Sequence, residues 1–229
     1  MATPLHIDIE TVPSQEEWVR KFIADNIKPP GNIKKEESIQ KWFAEKADTA
    51  IDTELAKTSF NGSVGEIICI GYAIEDAEVE IAGRKLGESE GDMIQNFVDA
   101  VAGFRMGEHT ETRPQFTWIG HYITGFDLHF LWQRCRVHSI DLPFALPHNV
   151  KPWHPDVYDT CHEWKLDNTG FGSLDAALKC LKIESLNDGS IDGSKVWGLI
   201  QAGEYDKVFN YCKGDVGDAR NLYRRLIGQ

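Results

Sequence analysis

Long apolar runs, paired cysteines and an excess of positive charge are all missing from this sequence of 229 residues. No apolar stretch approaches the ~20 residues that a membrane-spanning helix needs, and no basic segment followed by an apolar one resembles a secretory signal. We therefore expect no membrane partner. The five cysteines have no paired spacing. They predict reduced thiols in a cytoplasmic protein.

The charge balance is acidic, with 36 Asp and Glu residues against 24 Lys and Arg residues and a formal net charge of −12. This balance disfavours a protein that grips long nucleic acid by neutralising many phosphates. It still permits an enzyme that holds a short end at a metal site, because bound cations reverse the local field. The length suits one domain, and we predict a single domain over residues 1–229.

The strand signals come early and again in the middle of the chain. Leu5, Ile7 and Ile9 alternate with polar residues, which predicts a strand over residues 3–11. A run rich in β-branched residues predicts a second strand after it. In chain order, the later strands are expected at residues 66–74, 77–82, 115–121 and 157–158.

The helical signals separate these strands. Ser14 followed by Glu17 matches a capping box, so a helix should begin at Ser14. Trp18 and Phe22 should form its apolar face, within a helical insertion at about residues 14–60. Later helices are expected at residues 34–57, 90–104, 125–137, 173–181, 195–202 and 204–227, with a loop at 105–114. This order predicts an α/β fold, a mixed sheet flanked by helices.

Two carboxylates, Asp8 and Glu10, lie on the polar face of the first predicted strand. Side chains two residues apart on a strand point the same way, so both can reach one point. Like charges held together repel unless a cation or a proton neutralises them. The alternative is an edge strand whose acidic residues lie in water.

Two further segments carry acidic residues in distinctive settings. Asp127 follows a turn at Gly125 and opens a predicted helix, where a carboxylate could simply be an N-cap. Tyr211 and Asp215 are four residues apart and share one helix face. Gly214 between them is costly in a helix unless something approaches the backbone closely.

Carboxylates without imidazole or thiolate partners select hard divalent cations such as Mg²⁺ or Mn²⁺. Two such ions, about 3.5–4 Å apart, can activate water and stabilise the leaving oxygen in phosphodiester hydrolysis. Four carboxylates on three separate elements therefore predict a metal-dependent hydrolase.

Asp8-x-Glu10, the Phe126-Asp127 segment and Tyr211-x-x-x-Asp215 resemble, in order and spacing, the three motifs of the DEDD superfamily of 3′–5′ exonucleases. The similarity is greatest to the proofreading exonuclease domain of family B DNA polymerases and its stand-alone relatives. It covers residues 5 to about 224. The branch is the tyrosine one, because Asn210 stands where the histidine branch has its histidine. The resemblance implies a ribonuclease H-like fold.

The resemblance also implies roles for individual residues. Two Mg²⁺ or Mn²⁺ ions would be held by Asp8, Glu10, Asp127 and Asp215. Tyr211 would orient the attacking water, which makes these five the catalytic residues. The expected reaction releases nucleoside 5′-monophosphates from the 3′ end of single-stranded nucleic acid, with DNA favoured over RNA. Proofreading would need a polymerase in trans, since the chain is too short to contain one.

Four residues are expected to bind substrate: Thr11, Tyr122, Phe126 and Lys213. Tyr122 departs from the family, because many relatives carry Asn at this position, and this departure puts substrate preference in doubt. Trp153, Trp164 and Phe171 could stack bases, although core or loop positions are the favoured interpretation. Two rival functions stay open: a catalytically silent nucleic-acid-binding or scaffold module, and an RNA-trimming exoribonuclease.

Overall fold

A computed structural model describes residues 2–104, 115–165 and 171–229, so the loop expected at 105–114 lies outside the described residues. Within them, the centre is a mixed sheet of five strands. In chain order these are β1 (Thr3–Val12), β2 (Glu66–Ile74), β3 (Glu80–Gly83), β4 (Phe116–Gly120) and β5 (Val157–Asp159). The prediction of an α/β fold with a mixed, helix-flanked sheet is confirmed.

The strands are arranged in the order β3-β2-β1-β4-β5. β1, β2 and β3 are antiparallel neighbours, whereas β4 and β5 run parallel to β1. β1 pairs with β2 as far as Val12, but its pairing with β4 stops at His6. Beyond His6, the edge of β1 that faced β4 is therefore open to other partners.

Helices surround this sheet. In the described residues they are α1 (Glu17–Asn26), α2 (Glu36–Lys57), α3 (Glu90–Gly103), α4 (Asp127–Val137), α5 (Thr160–Trp164), α6 (Leu174–Leu181), α7 (Val196–Gln201) and α8 (Tyr205–Leu226). Short 3-10 helices cover Thr58–Phe60 and Gly193–Lys195. None of the described helices combines the length and hydrophobicity that crossing a membrane requires.

The two faces of β1 meet different layers of helices. Leu5, Ile7 and Ile9 are buried in the main core with side chains of α3 and α4. Val12 belongs to a second buried cluster with α7 and α8. Because side chains alternate along a strand, the residues between the odd-numbered isoleucines point toward α8. His6 agrees, since its ring contacts Tyr223 of α8.

The start of the helical insertion differs from the prediction. The capping box at Ser14 is wrong, because α1 begins at Glu17 and its first turn has no side-chain cap. Ser14 is buried, and its amide donates to Thr58 Oγ1 at 2.8 Å. The predicted apolar face is also wrong, since Trp18 and Phe22 are 57% and 62% exposed. α1 packs on α2 and not on the sheet, which leaves these rings uncovered.

Other boundaries move for local reasons. β3 begins three residues late because the chain turns at Glu75, where φ is 53°. α5 was not predicted, since five residues are too few for a periodic signal. Asp159 caps α5 by accepting from the amides of Cys161 and His162. The predicted N-cap at Ser173 is confirmed, because its hydroxyl accepts from Ala176 N.

A β-bulge breaks the β1–β2 pairing between Glu10 and Thr11. Ile67, on the β2 side of the bulge, has its backbone held by two buried side chains. Its amide donates to Glu90 Oε1 at 2.7 Å, and its carbonyl accepts from Arg84 Nε at 2.9 Å. A bulge fixed in this way redirects the strand just after Glu10.

α8 lies close to the sheet because Gly71 of β2 has no side chain. A Cβ at position 71 would come within 2.9 Å of both Cys212 Sγ and Val216 Cγ2 of α8. Gly71 is paired with Asp8 across the strands. This close approach sets the distance between Asp8 and the residues of α8.

Gly71→Ala should lower the free energy of unfolding by about 1–3 kcal/mol, because the added methyl forces α8 away from the sheet. Gly198→Ala is the matched control, since Gly198 lies in α7 with nothing within 4 Å of an added Cβ. That change should raise stability by up to about 1 kcal/mol through helix propensity. Urea denaturation measures both, and equal effects would contradict the close packing of α8 on β2.

Candidate metal centre

Three carboxylates meet where β1 passes under the middle of α8. One oxygen each from Asp8, Glu10 and Asp215 lies within 4.8 Å of the others. Glu10 is 8% exposed, and the other two side chains are half-buried. No cationic side chain is hydrogen-bonded to these three groups among the bonds of the described residues. The prediction that β1 and α8 bring their carboxylates together therefore agrees with the geometry, and the arrangement suits a divalent cation.

Asp127 approaches β1 from the other side of the open edge. Its Oδ1 accepts from Ile9 N at 3.0 Å, a backbone donor left free because β4 no longer pairs with β1 there. Asp127 is not the N-cap of α4; Phe126 holds that position and has no side-chain cap. Asp127 is 4% exposed. The structure thus places it beside the three-carboxylate group but not within it.

The site raises the pKa of each of its four carboxyl groups. Burial is the largest cause for Asp8 and Glu10, and the charges of neighbouring carboxylates add to it. Burial likewise raises the pKa of Asp127 to about 7 and that of Asp215 to about 6. Burial thus makes a charge on each group unfavourable, and for Asp8 and Glu10 the charges of the other carboxylates add to this cost.

Tyr211 lies one helical turn before Asp215, as its spacing predicts. Its hydroxyl lies close enough to the Asp215 carboxylate to lower the pKa of that carboxyl group, against the effect of burial. The pKa of the phenol itself is raised, first by burial and then by the nearby charge of Asp215. Tyr211 therefore stays protonated at neutral pH and can act only as a hydrogen-bond donor or acceptor.

Asn187 is a site residue that the sequence reasoning missed. Its Nδ2 donates to Asp215 Oδ1 at 2.8 Å and to the Tyr211 carbonyl at 3.2 Å. Its side chain occupies the space where a Cβ at Gly214 would lie, which explains the glycine in mid-helix. Gly214 was the signal for a close approach, but nothing in the sequence identified which residue approaches.

The loop that carries Asn187 is fixed to α8 at two further points. Asp218 is buried, and its carboxylate accepts from Ser185 Oγ at 2.6 Å and from Leu186 N at 2.9 Å. Leu186 fills the space beside Gly217. α8 is one continuous helix. Its two glycines leave space for the Asn187 and Leu186 side chains of the loop, and they do not interrupt the helix.

The four predicted substrate-binding residues differ in exposure and in their position relative to the carboxylate group. Thr11 follows Glu10, and its Oγ1 donates to Ser59 O at 2.7 Å. Phe126 is half-buried directly before Asp127, and Tyr122 is exposed four residues earlier. Lys213 is exposed and, being two residues from both Tyr211 and Asp215, leaves α8 on the opposite side. Thr11 and Phe126 are thus sequence neighbours of Glu10 and Asp127, Tyr122 lies five residues before Asp127, and Lys213 faces away from Tyr211 and Asp215.

Of the other aromatic candidates, Trp164 packs against a small buried cluster of α6 and α8, whereas Trp153 and Phe171 do not lie in a core. Trp153 and Phe171 are 69% and 68% exposed, which contradicts a buried position for either ring. Trp164 is half-buried, and its Nε1 donates to Phe171 O at 3.1 Å. No contact joins these rings to the carboxylate group in the part of the chain that the structure describes.

A scan against protein-family models finds no match for this chain, and a search among curated proteins finds none either. The geometry of the site therefore has to carry the functional assignment.

In EDTA, the free energy of unfolding of the wild type relative to that of Asp127→Asn should fall as pH rises from about 4 to about 7. The raised pKa of the Asp127 carboxyl group means that this group binds a proton in the folded chain across the window, so its contribution to stability is lost as the proton leaves. The comparison cancels the opposite contribution of other groups, such as His6, whose pKa burial lowers to about 4. We expect a loss of about 1–4 kcal/mol by pH 8. Saturating Mn²⁺ should abolish the loss, because a cation favours the ionised groups.

Urea denaturation at pH 5 and pH 8 measures this loss. Asp127→Asn should flatten the pH dependence, whereas Asp25→Asn, a change to an exposed aspartate of α1, should leave it as in the wild type. The same pH dependence for the wild type and Asp127→Asn in EDTA would contradict the electrostatics assigned to the site.

Proposed function

We propose that this protein is a metal-dependent 3′–5′ exonuclease that hydrolyses single-stranded nucleic acid, with DNA favoured, to nucleoside 5′-monophosphates. The observation that carries the proposal is the meeting of one oxygen each from Asp8, Glu10 and Asp215 within 4.8 Å, with Tyr211 one helical turn before Asp215 in α8. Asp8 and Glu10 lie more than 200 residues before Asp215, and the motifs in the sequence point to the same residues. The motifs and the geometry therefore support each other.

The sheet topology supports the proposed relationship. A central β1 with antiparallel β2 and β3 on one side and parallel β4 and β5 on the other is compatible with a ribonuclease H-like fold. In that arrangement the first strand and the last helix supply the acidic ligands. A fold by itself does not assign an activity, so the proposal depends mainly on the carboxylate site.

The residues fit a hard divalent cation such as Mg²⁺ or Mn²⁺. Asp8, Glu10 and Asp215 offer only oxygen ligands, and their raised pKa values reflect the absence of an opposing charge. Asp127 would complete the set for a second ion, as the resemblance implies. When bound, the ions would supply charge for activating water and stabilising the leaving oxygen.

The protein's own groups have distinct roles in this reaction. Asn187 donates to one oxygen of Asp215 and so would fix the orientation of that carboxylate. The Ile9 amide orients Asp127 in the same way. Tyr211 keeps its proton, so it would orient the attacking water through a hydrogen bond and would not serve as the general base.

The acidic character of the chain is compatible with binding only a few nucleotides at one strand end. A net charge of −12 opposes binding along many phosphates, so few contacts near the 3′ end should dominate. A polymerase or another replication or repair protein could act as a partner in trans. A cytoplasmic location and a single domain over residues 1–229, with its insertion at about 14–60, remain part of this proposal.

Digestion of a 5′-labelled single-stranded DNA oligomer tests the proposal directly. With Mn²⁺ or Mg²⁺ we expect a ladder that shortens from the 3′ end, and no ladder with EDTA. Asp8→Ala should lower the rate by about 100-fold or more, because it removes a ligand shared by the cluster. Asp25→Ala, which changes an exposed aspartate of α1, should retain the wild-type rate.

A ladder on matched RNA but not on DNA would move the assignment to an RNA-trimming exoribonuclease. Cleavage of neither strand would contradict the enzyme assignment and favour the catalytically silent nucleic-acid-binding or scaffold module. Wild-type rates from Asp8→Ala would show that the carboxylate cluster is not the active site.

A further inference from the structure

Three aromatic side chains lie in or against the segment that precedes Asp127, namely Phe60, Tyr122 and Phe126, here called the aromatic rim. The ring of Phe60 contacts that of Phe126 edge-on, with centroids 6.5 Å apart. The ring of Tyr122 covers Gly125 so closely that no side chain fits there. Phe60 is 75% exposed and Tyr122 is 58% exposed. Two open rings thus pack against one short segment, residues 125–126.

One end of the rim is joined to the metal centre through α4. Phe126 is the residue before Asp127, and the Asp127 carboxylate is hydrogen-bonded to the backbone of β1 at Ile9. Phe126 also contacts Phe130 in the core, with centroids 5.4 Å apart. The inner ring of the rim is therefore fixed both to the core and to the site.

The other end is joined through the helical insertion. Phe60 ends the 3-10 helix that follows α2, and Ser59 beside it accepts the hydrogen bond from Thr11 Oγ1. Thr11 is the residue after Glu10. The end of the insertion is therefore hydrogen-bonded to β1 at the residue after Glu10, and it carries the exposed ring of Phe60.

We propose that Phe60 and Tyr122 stack unpaired bases of the strand whose 3′ end enters the metal centre. This inference rests on the exonuclease function proposed above and adds a role for the insertion, which becomes part of the substrate-binding surface. The ligands are the nucleobases of a single strand, with little dependence on base identity, because every base has a π-face.

The charge of the protein favours base contacts over phosphate contacts at this place. The net charge of the chain is −12, so away from the metal ions a strand gains little from contacts to its phosphates. Stacking on uncharged rings needs no positive charge. It also requires that the strand end be unpaired, which matches a single-stranded substrate.

The backbone at Tyr122 supports a functional reason for this ring. Its φ is 65°, in the left-handed region that bulky residues rarely adopt. Asp159 holds the strained turn by accepting from Tyr122 N at 2.9 Å and from Thr124 N at 3.1 Å. Strain that the surroundings maintain around an exposed ring is typical of a binding position.

Kinetics on two oligomers test the role of Phe60 in the full-length chain. One is a 5′-labelled thymidine oligomer, and the other has base-free tetrahydrofuran residues at its 3′ end. Phe60→Ala should raise KM on the first about 5- to 100-fold with kcat nearly unchanged, and should have little effect on the second. Phe60→Trp should restore the wild-type KM. Phe22→Ala, at a 62% exposed phenylalanine of α1, is the matched control.

Binding is read separately by fluorescence anisotropy of the same oligomers in Ca²⁺, which occupies oxygen-ligand sites. Weaker binding of the normal oligomer by Phe60→Ala supports the aromatic rim even if no strand is cleaved, so the two proposals can fail independently. An unchanged KM and affinity for Phe60→Ala would overturn the inference. So would an equal loss on the base-free oligomer, because stacking could not cause it.

Discussion

Repulsion among buried carboxylates is the constraint on which the rest of this structure depends. Asp8, Glu10 and Asp215 are held together by elements that the main cores fix in place, and burial makes each of their charges costly. A protein can maintain such a group only if a cation or bound protons offset the charge. The raised pKa values describe the proton-bound alternative, and a divalent ion is the alternative that supports chemistry.

The packing around the centre serves this arrangement. Gly71 lets α8 approach the sheet opposite Asp8, and Gly214 admits Asn187 to the Asp215 carboxylate. The end of the β1–β4 pairing frees the Ile9 amide for Asp127. In each case the absence of a side chain or of a strand partner leaves space for a contact that positions a carboxylate. The aromatic rim extends the same centre outward, toward the strand that would enter it.

Much of this could be predicted from the sequence, because strong periodicity and motif spacing are local signals. The Leu5, Ile7, Ile9 alternation located β1, and the spacing of Tyr211 and Asp215 located one face of α8. Contacts between distant segments that lie outside the three motifs could not be predicted. Nothing local marks Asn187 as the partner of Asp215, or Phe60 as a neighbour of Phe126. The burial of Trp18 and Phe22 was predicted wrongly for a related reason. The sequence shows that a helix face is apolar, but it does not show whether another element covers that face.

The central claim is that the carboxylate group is a divalent-cation site, and diffraction from crystals grown with Mn²⁺ tests it most directly. The account predicts an anomalous scattering peak bounded by the carboxylates of Asp8, Glu10 and Asp215, and loss of that peak in Asp8→Asn. A well-ordered Mn²⁺-grown crystal with no peak at these side chains, or a peak unaffected by Asp8→Asn, would contradict the account.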